Sequence, residues 1–257
     1  MNDVRLGRPR LHLPRTGSTM DDLLALARVG APEGTVVTTD FQDAGQGRAG
    51  RVWAAPPGSA LLMSTLLKPG RPHAELTPLS LLVALAIATS IRDGFGLDAR
   101  VKWPNDVFVG RRKAVGVLLR THAIRGESQP VVVVGTGINV NVPAASLPET
   151  GTSIAVELGR EVDRDVVRDR VLAELGDVYH RFLRGDIEAD WDRLNQLLLY
   201  RDEPVSIQDG DRLLTGTLAG LDHRGGLLLM QPDATMRTVV SGDLTRGPQP
   251  IGDRSAS

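Results

Sequence analysis

Cysteine is absent from these 257 residues. That excludes disulfides, thiolate-held zinc and a cysteine nucleophile. An excess of one charge is also missing, since 30 basic and 31 acidic residues leave a net −1. Such a chain has no general surface for neutralising phosphates, so no nucleic-acid partner is expected and only a local basic pocket fits. No apolar run reaches the ~20 residues that a bilayer requires. The longest, Leu79 to Ala88, carries Ser80 inside it. The N-terminus lacks the apolar core of a signal peptide. No membrane contact and a cytoplasmic location are therefore expected. The five histidines (His12, His73, His122, His180, His223) are scattered, without metal-ligand spacing.

Lysine is nearly absent too. Only Lys68, Lys102 and Lys113 occur among the 30 basic residues. Two of them bracket one stretch, Lys102-Trp103-Pro104-Asn105-Asp106 through Lys113-Ala114-Val115-Gly116. Lysine is a compact point charge and arginine a planar fork, so the two do not substitute freely. Lysines beside this turn fit a site for a small anion such as a carboxylate or phosphate. They fit a surface hairpin equally well.

Elements alternate along the chain. Leu11 to Leu13 predicts a short strand. Ser18-Thr19-Met20-Asp21 has the spacing of a capping box, followed by an apolar helix face at Leu23, Leu24 and Ala27 and a stop at Gly30. Thr35 to Asp40 and Ser59 to Leu67 predict strands, the second buried. Thr77-Pro78 opens a helix that is apolar nearly all round to Ile91, hence buried. Strands are expected at Arg100 to Trp103, Asp106 to Val109, Lys113 to Thr121 and Pro130 to Gly135, with a hairpin at Gly110 to Arg112. Asp163 caps a helix carrying Val167, Val171, Leu175, Val178 and Phe182 at helical spacing, and a further helix covers Ala189 to Tyr200. After Arg201 short strands separated by Asp209-Gly210, Asp222 to Gly226 and Pro232-Asp233 predict a small β-barrel packed on the main domain. The tail beyond Gly247 is expected to be disordered.

Gly45-Gln46-Gly47-Arg48-Ala49-Gly50 spells G-x-G-x-x-G after a strand. A dinucleotide turn needs a helix beginning at that motif. Arg51 to Ala55 instead runs into Pro56-Pro57-Gly58, and no acid occurs from Arg51 through Ala74 to meet a ribose. The dinucleotide reading is rejected. What is left is a loop with Arg48 and Arg51, either solvated decoration or a ligand-gripping loop whose glycines admit close backbone approach.

Taken in order, these segments resemble biotin protein ligases. The family's Ser-Thr-Asn start matches Ser18-Thr19-Met20, and its Gly/Arg loop matches Gln42 through Arg51 with Trp53 following. Its Lys-Trp-Pro-Asn-Asp signature is complete at Lys102 to Asp106. Its Lys-x-x-Gly strand matches Lys113 to Leu118, and its Gly-x-Gly-Ile-Asn-x-Asn turn matches Gly135 to Asn141. Met20 replaces the usual asparagine and Gln46 the first arginine of the loop.

The resemblance implies an α+β fold: a mixed sheet flanked by helices, like class II aminoacyl-tRNA synthetases, at 1–201, an SH3-like module at 202–247 and a tail at 248–257. It implies ATP-dependent transfer of biotin, through biotinyl-adenylate, to a lysine of a biotin carboxyl carrier protein, with Mg²⁺ required, by a monomer or homodimer. Seventeen residues precede Ser18, so a short form without a DNA-binding domain is expected. A lipoate or octanoate ligase or transferase, or a non-catalytic biotin binder, are the alternatives.

For the site it implies Lys113 and Arg48 as catalytic residues. Biotin falls to Ser18, Thr19, Met20, Gln42, Gly45, Gln46, Gly47, Arg48, Lys113, Gly116 and Leu118. ATP falls to Arg48, Arg51, Trp53, Lys102, Asn105, Asp106, Lys113 and Asn139, with Asp106 meeting Mg²⁺ through water. Several of these have plainer alternatives. Ser18 and Thr19 could cap a helix, Asp106 and Asn139 could brace turns, and Trp53 could be core.

Overall fold

The computed structural model describes residues 5–247. The expected tail at 248–257 lies outside them. Seven strands form one mixed sheet: β1 (Arg10–Leu13), β2 (Val36–Thr39), β3 (Ala60–Leu67), β4 (Ala99–Lys102), β5 (Asp106–Val109), β6 (Arg112–His122) and β7 (Val131–Asn139). Their order is β1-β2-β3-β7-β6-β5-β4, with β1 and β2 parallel and all other pairs antiparallel.

Alternation along β7 builds both faces. Val132 and Val134 join the core beneath α2 (Leu79–Phe95) and α4 (Arg164–Arg184). Val131 and Val133 pack under α1 (Thr19–Arg28) with Met20, Leu23, Ala27, Val37 and Leu66. Continuing on the α1 face, the next residues are Gly135, Gly137 and Asn139. Side chains therefore vanish from the sheet where α1 begins, and a cleft opens there.

Helix α2 runs longer than its expected end at Ile91, stopping at a left-handed Gly96. The segment His73–Phe95 is long and apolar enough to cross a membrane, which corrects the sequence-based expectation; here 72% of its most apolar 18-residue stretch is buried inside the fold. Two shorter helices complete the domain, α3 (Ile154–Leu158), which the sequence did not reveal, and α5 (Glu188–Leu197), which ends before Tyr200. Asp163 caps α4 by accepting from Asp165 N–H. The capping box at α1 does not form. Ser18 sits at the N-cap but its hydroxyl makes no cap bond.

The C-terminal module is an antiparallel sheet of β8 (Pro204–Asp209), β9 (Arg212–Leu221), β10 (Leu227–Met230), β11 (Met236–Val239) and β12 (Asp243–Arg246), ordered β11-β10-β9-β8-β12. It is anchored by Trp103, 2% exposed, whose indole N–H donates to the Gly225 carbonyl at 3.0 Å. Asn195 of α5 accepts from Leu221 N–H at 2.8 Å. Trp103→Phe keeps most of the apolar area but leaves the Gly225 carbonyl unpaired. It is expected to cost about 1–3 kcal/mol, measured as a lowered midpoint in denaturant, with an unchanged midpoint as the opposing result.

Candidate active site

The cleft holds about 610 Å³. Its walls come from the start of α1, the loop at 42–54, the turn after β4, strands β6 and β7, the loop at 146–151 and β12.

Its floor is glycine. Gly116 of β6 pairs with Gly137 of β7, and Gly135 pairs with Leu118. A Cβ on Gly137 would lie 2.4 Å from Trp53 Cε2, one on Gly116 2.8 Å from Trp53 Cζ3, and one on Gly135 2.6 Å from Met20 Sδ. The Trp53 ring thus rests flat on bare backbone. Gly135 to Asn139, expected as a turn, is the end of β7. The glycines are there for close approach and not for bending.

A β-bulge sets the central cation. Val107 pairs with Val115, but Phe108 pairs with Lys113, so Ala114 is the extra residue. Ala114 and Val115 are consecutively buried. Strict alternation would put Lys113 on the same face as buried Val115 and Val117. The bulge moves it to the face of Gly116 and Leu118. Its backbone is held by the loop beyond β7: Lys113 N–H donates to Thr150 O at 2.8 Å, and Thr152 N–H to Lys113 O at 2.9 Å. Its ammonium lies 2.8 Å from Asp106 Oδ1 and 5.8 Å from the Trp53 ring centre. Lys102 lies behind, 5.2 Å over the Phe108 ring. Burial foremost pulls its ammonium below the usual lysine range; Asp106 opposes this and Lys113 adds to it.

The loop at 42–54 is a small hairpin. Gln46 bridges Val52, Gly47 N–H donates to Arg51 O at 2.7 Å, and Trp53 N–H to Gly45 O at 3.0 Å. The turn uses Ala49 and Gly50 at φ 53 and 74, and Arg48–Gly50 is one 3-10 turn, so no dinucleotide helix follows. Arg48 donates to Asn105 Oδ1 at 3.1 Å, while Asn105 Nδ2 donates to Val117 O. Arg51 pairs with Asp243 of β12 at 3.2 Å, with Arg48 at 3.9 Å from the same carboxylate.

At the other end, Gln42 Oε1 accepts from Thr19 N–H at 2.9 Å and from Thr19 Oγ1 at 3.1 Å. Ser18 lines the cleft without a cap bond. Gln46 Nε2 donates to Asp21 Oδ2 at 3.2 Å, leaving its Oε1 buried without a partner.

Every site residue expected from the sequence lines this cleft except Gly45. A Cβ there would fall 2.2 Å from Trp53 O, so that glycine closes the hairpin's base. Asn139 donates to Thr152 O at 3.0 Å and is 7% exposed. That bond joins β7 to the following loop. Sequence reasoning missed Gly135 and Gly137 as floor, the wall from Ser146 to Gly151 and Asp243. The Gly-x-Gly alternation was the available signal for the floor. Nothing local marks Asp243, which arrives from a separate sheet.

Two family descriptions fit the chain, Biotin/lipoate A/B protein ligase family at residues 13–139 and Biotin protein ligase C terminal domain at 202–244. It is similar to the biotin--[acetyl-CoA-carboxylase] ligase of Mycobacterium tuberculosis, at 32% identity over 90% of this chain and 86% of that one. The enzyme of that name from Paracoccus denitrificans is 30% identical over 86% and 93%. The bifunctional ligase/repressor BirA of Bacillus subtilis is 29% identical over 94% of this chain and 75% of its own. Among solved structures, biotin protein ligase from Aquifex aeolicus in complex with biotin and ATP superposes with TM-score 0.80 at 26% identity, covering 93% and 100% of the two chains.

Proposed function

We infer that the cleft of this chain, which belongs to the biotin protein ligase family, joins biotin to ATP and passes the vitamin to a carrier protein. A carboxylate oxygen of biotin attacks the α-phosphorus and expels diphosphate. The ε-amine of a carrier lysine then attacks the carbonyl carbon of biotinyl-adenylate and expels AMP. Both steps use groups on the substrates, so the chain needs no nucleophile of its own. Its task is to bring two anions together and to hold charge as it develops.

One observation carries this reading. The bulge before Gly116 places a lysine ammonium on the face of a cleft that also holds the neutral hydrogen-bonding residues Ser18, Thr19 and Gln42 and the arginines at 48 and 51. We assign the neutral end to the biotin ring, whose uncharged urea needs uncharged partners. We assign Arg48, Arg51, Lys102, Asn105, Asp106 and Asn139 to the nucleotide. We assign Lys113 to both, its ammonium leaving Asp106 for the carboxylate and phosphate oxygens.

Among the described residues no group of three metal-ligating side chains occurs, so a protein cage for Mg²⁺ is not present. A single carboxylate beside a triphosphate does fit an ion that keeps several waters. Asp106 would hold it, and it would supply charge neutralisation at the phosphates. We read the C-terminal sheet as an SH3-like barrel, the main sheet as class II synthetase-like and the setting as cytoplasmic. Incubation with ATP, biotin and a carrier domain should add one biotinyl mass to the carrier. Lack of that gain, or an equal gain from lipoate, would overturn the assignment.

Gln46 gives a second test. Asp21 in the first turn of α1 meets a neutral amide there. Gln46→Arg would replace this contact with an ion pair and tighten the loop across the adenylate. Release of biotinyl-adenylate from the purified complex should slow severalfold at low salt. An unchanged release rate would show that this position acts through its backbone.

A further inference from the structure

Ser64 lies on β3, fully buried, and does not line the cleft. It pairs across the sheet with Gly135, under the neutral end of the site. Its Oγ is 2.8 Å from Thr19 Oγ1. We propose that Ser64 is a positioning residue that sets the hydrogen-bond polarity of the vitamin's ring site; this rests on the biotin reading above.

The polarity follows from counting protons. Gln42 Oε1 faces Thr19 N–H at 2.9 Å. A flipped amide would set two donors against each other, so the oxygen assignment is fixed. That oxygen also lies 3.1 Å from Thr19 Oγ1. An amide oxygen carries no proton, so the hydroxyl proton of Thr19 must point at it. Thr19 has only one such proton. The contact with Ser64 is then supplied by the serine, which donates to Thr19. The order is Ser64 to Thr19 to Gln42.

Two consequences reach the ligand. Thr19 Oγ1 has spent its proton and keeps a lone pair, so it can only accept. Gln42 Oε1 has both lone pairs filled, so Gln42 offers only its NH₂. A cyclic urea carries N–H donors beside a carbonyl acceptor. An acceptor at Thr19 next to a donor at Gln42 matches that order. Without Ser64, Thr19 is free to turn its proton elsewhere, and the match is no longer enforced.

Ser64→Ala is expected to raise KM for biotin about tenfold, with kcat and KM for ATP unchanged in pyrophosphate exchange. Thr19→Val should raise it at least as much. In the Thr19→Val background, Ser64→Ala should add nothing, because the serine acts only through the threonine. Ser64→Cys, with similar volume and a weak S–H donor, should fall between wild type and Ser64→Ala, and it carries the test if the alanine variant does not fold. An unchanged biotin KM in Ser64→Ala, additive effects in the double variant, or a loss shared equally by ATP would overturn the relay. Absence of biotin binding by the wild-type chain would instead overturn the reading of the cleft.

Discussion

Lys113→Ala lowers the rate of biotin-dependent pyrophosphate exchange by ~10²–10³, the range for removing one preorganised electrostatic donor. The expectation rests on placement and not on charge alone. The ammonium lies 2.8 Å from Asp106, with its side chain 34% exposed, so it is neither lost in water nor fully neutralised. Without it, Asp106 adds a negative charge where two anionic substrates must meet, and the deficit exceeds one missing contact. Lys113→Arg is not expected to restore the rate. A planar fork spreads its charge over the guanidinium and does not present the same compact point charge to these oxygens. A Lys113→Ala enzyme with near-normal exchange would remove this residue from the chemistry.

Gly137→Val is expected to cost about 1–3 kcal/mol in stability through overpacking and ~10² in exchange rate through displacement of the site. Local preference points the other way, since valine suits a strand better than glycine. The observation that decides is the 2.4 Å separation between a Cβ at this position and the Trp53 ring. Two atoms cannot share that space, and the strand is central, between β3 and β6. Trp53 must therefore leave the floor, taking with it one wall of the cleft and the ring beneath the lysine ammonium. Thermal unfolding together with tryptophan emission would report both effects. Adding Trp53→Ala to Gly137→Val should return part of the stability and none of the rate. A Gly137→Val chain with wild-type activity would show that the ring is dispensable.

Much of the fold was legible because its rules are local. Short apolar runs bounded by turn residues marked β3 and the first half of β7, a longer one opened by Thr77-Pro78 marked α2, and Asp163 marked its helix. The failures share one physical cause. Ser18 has the residue type and spacing of a capping box, yet its hydroxyl is withheld from the helix. Gly135 and Gly137 resemble a turn until Trp53 and Met20, distant in sequence, are seen lying on them. Gly45 gives no local sign that Trp53 O lies 2.2 Å from where its Cβ would be. Asp243 is an ordinary acid until β12 brings it against Arg51. In each case the deciding neighbour is tertiary, and no spacing rule contains it. The residues expected at the site, Gly45 apart, do line one cleft, and their order along the chain was what singled them out.

The extra residue at Ala114 has a consequence for how such a chain can change. Removing it would restore a regular ladder between β5 and β6 at the loss of one small buried side chain, and Lys113 would still stand opposite Phe108 on the cleft face. Closing the bulge with Ala114 retained would instead set Ala114 opposite Phe108 and turn the ammonium inward, onto the face of Val115 and Val117. Substitutions can accumulate along this strand gradually, but the pairing of Lys113 with Phe108 behaves as a parity bit. A one-residue slip of that pairing inverts it, and no nearby side-chain change can compensate for an inverted strand.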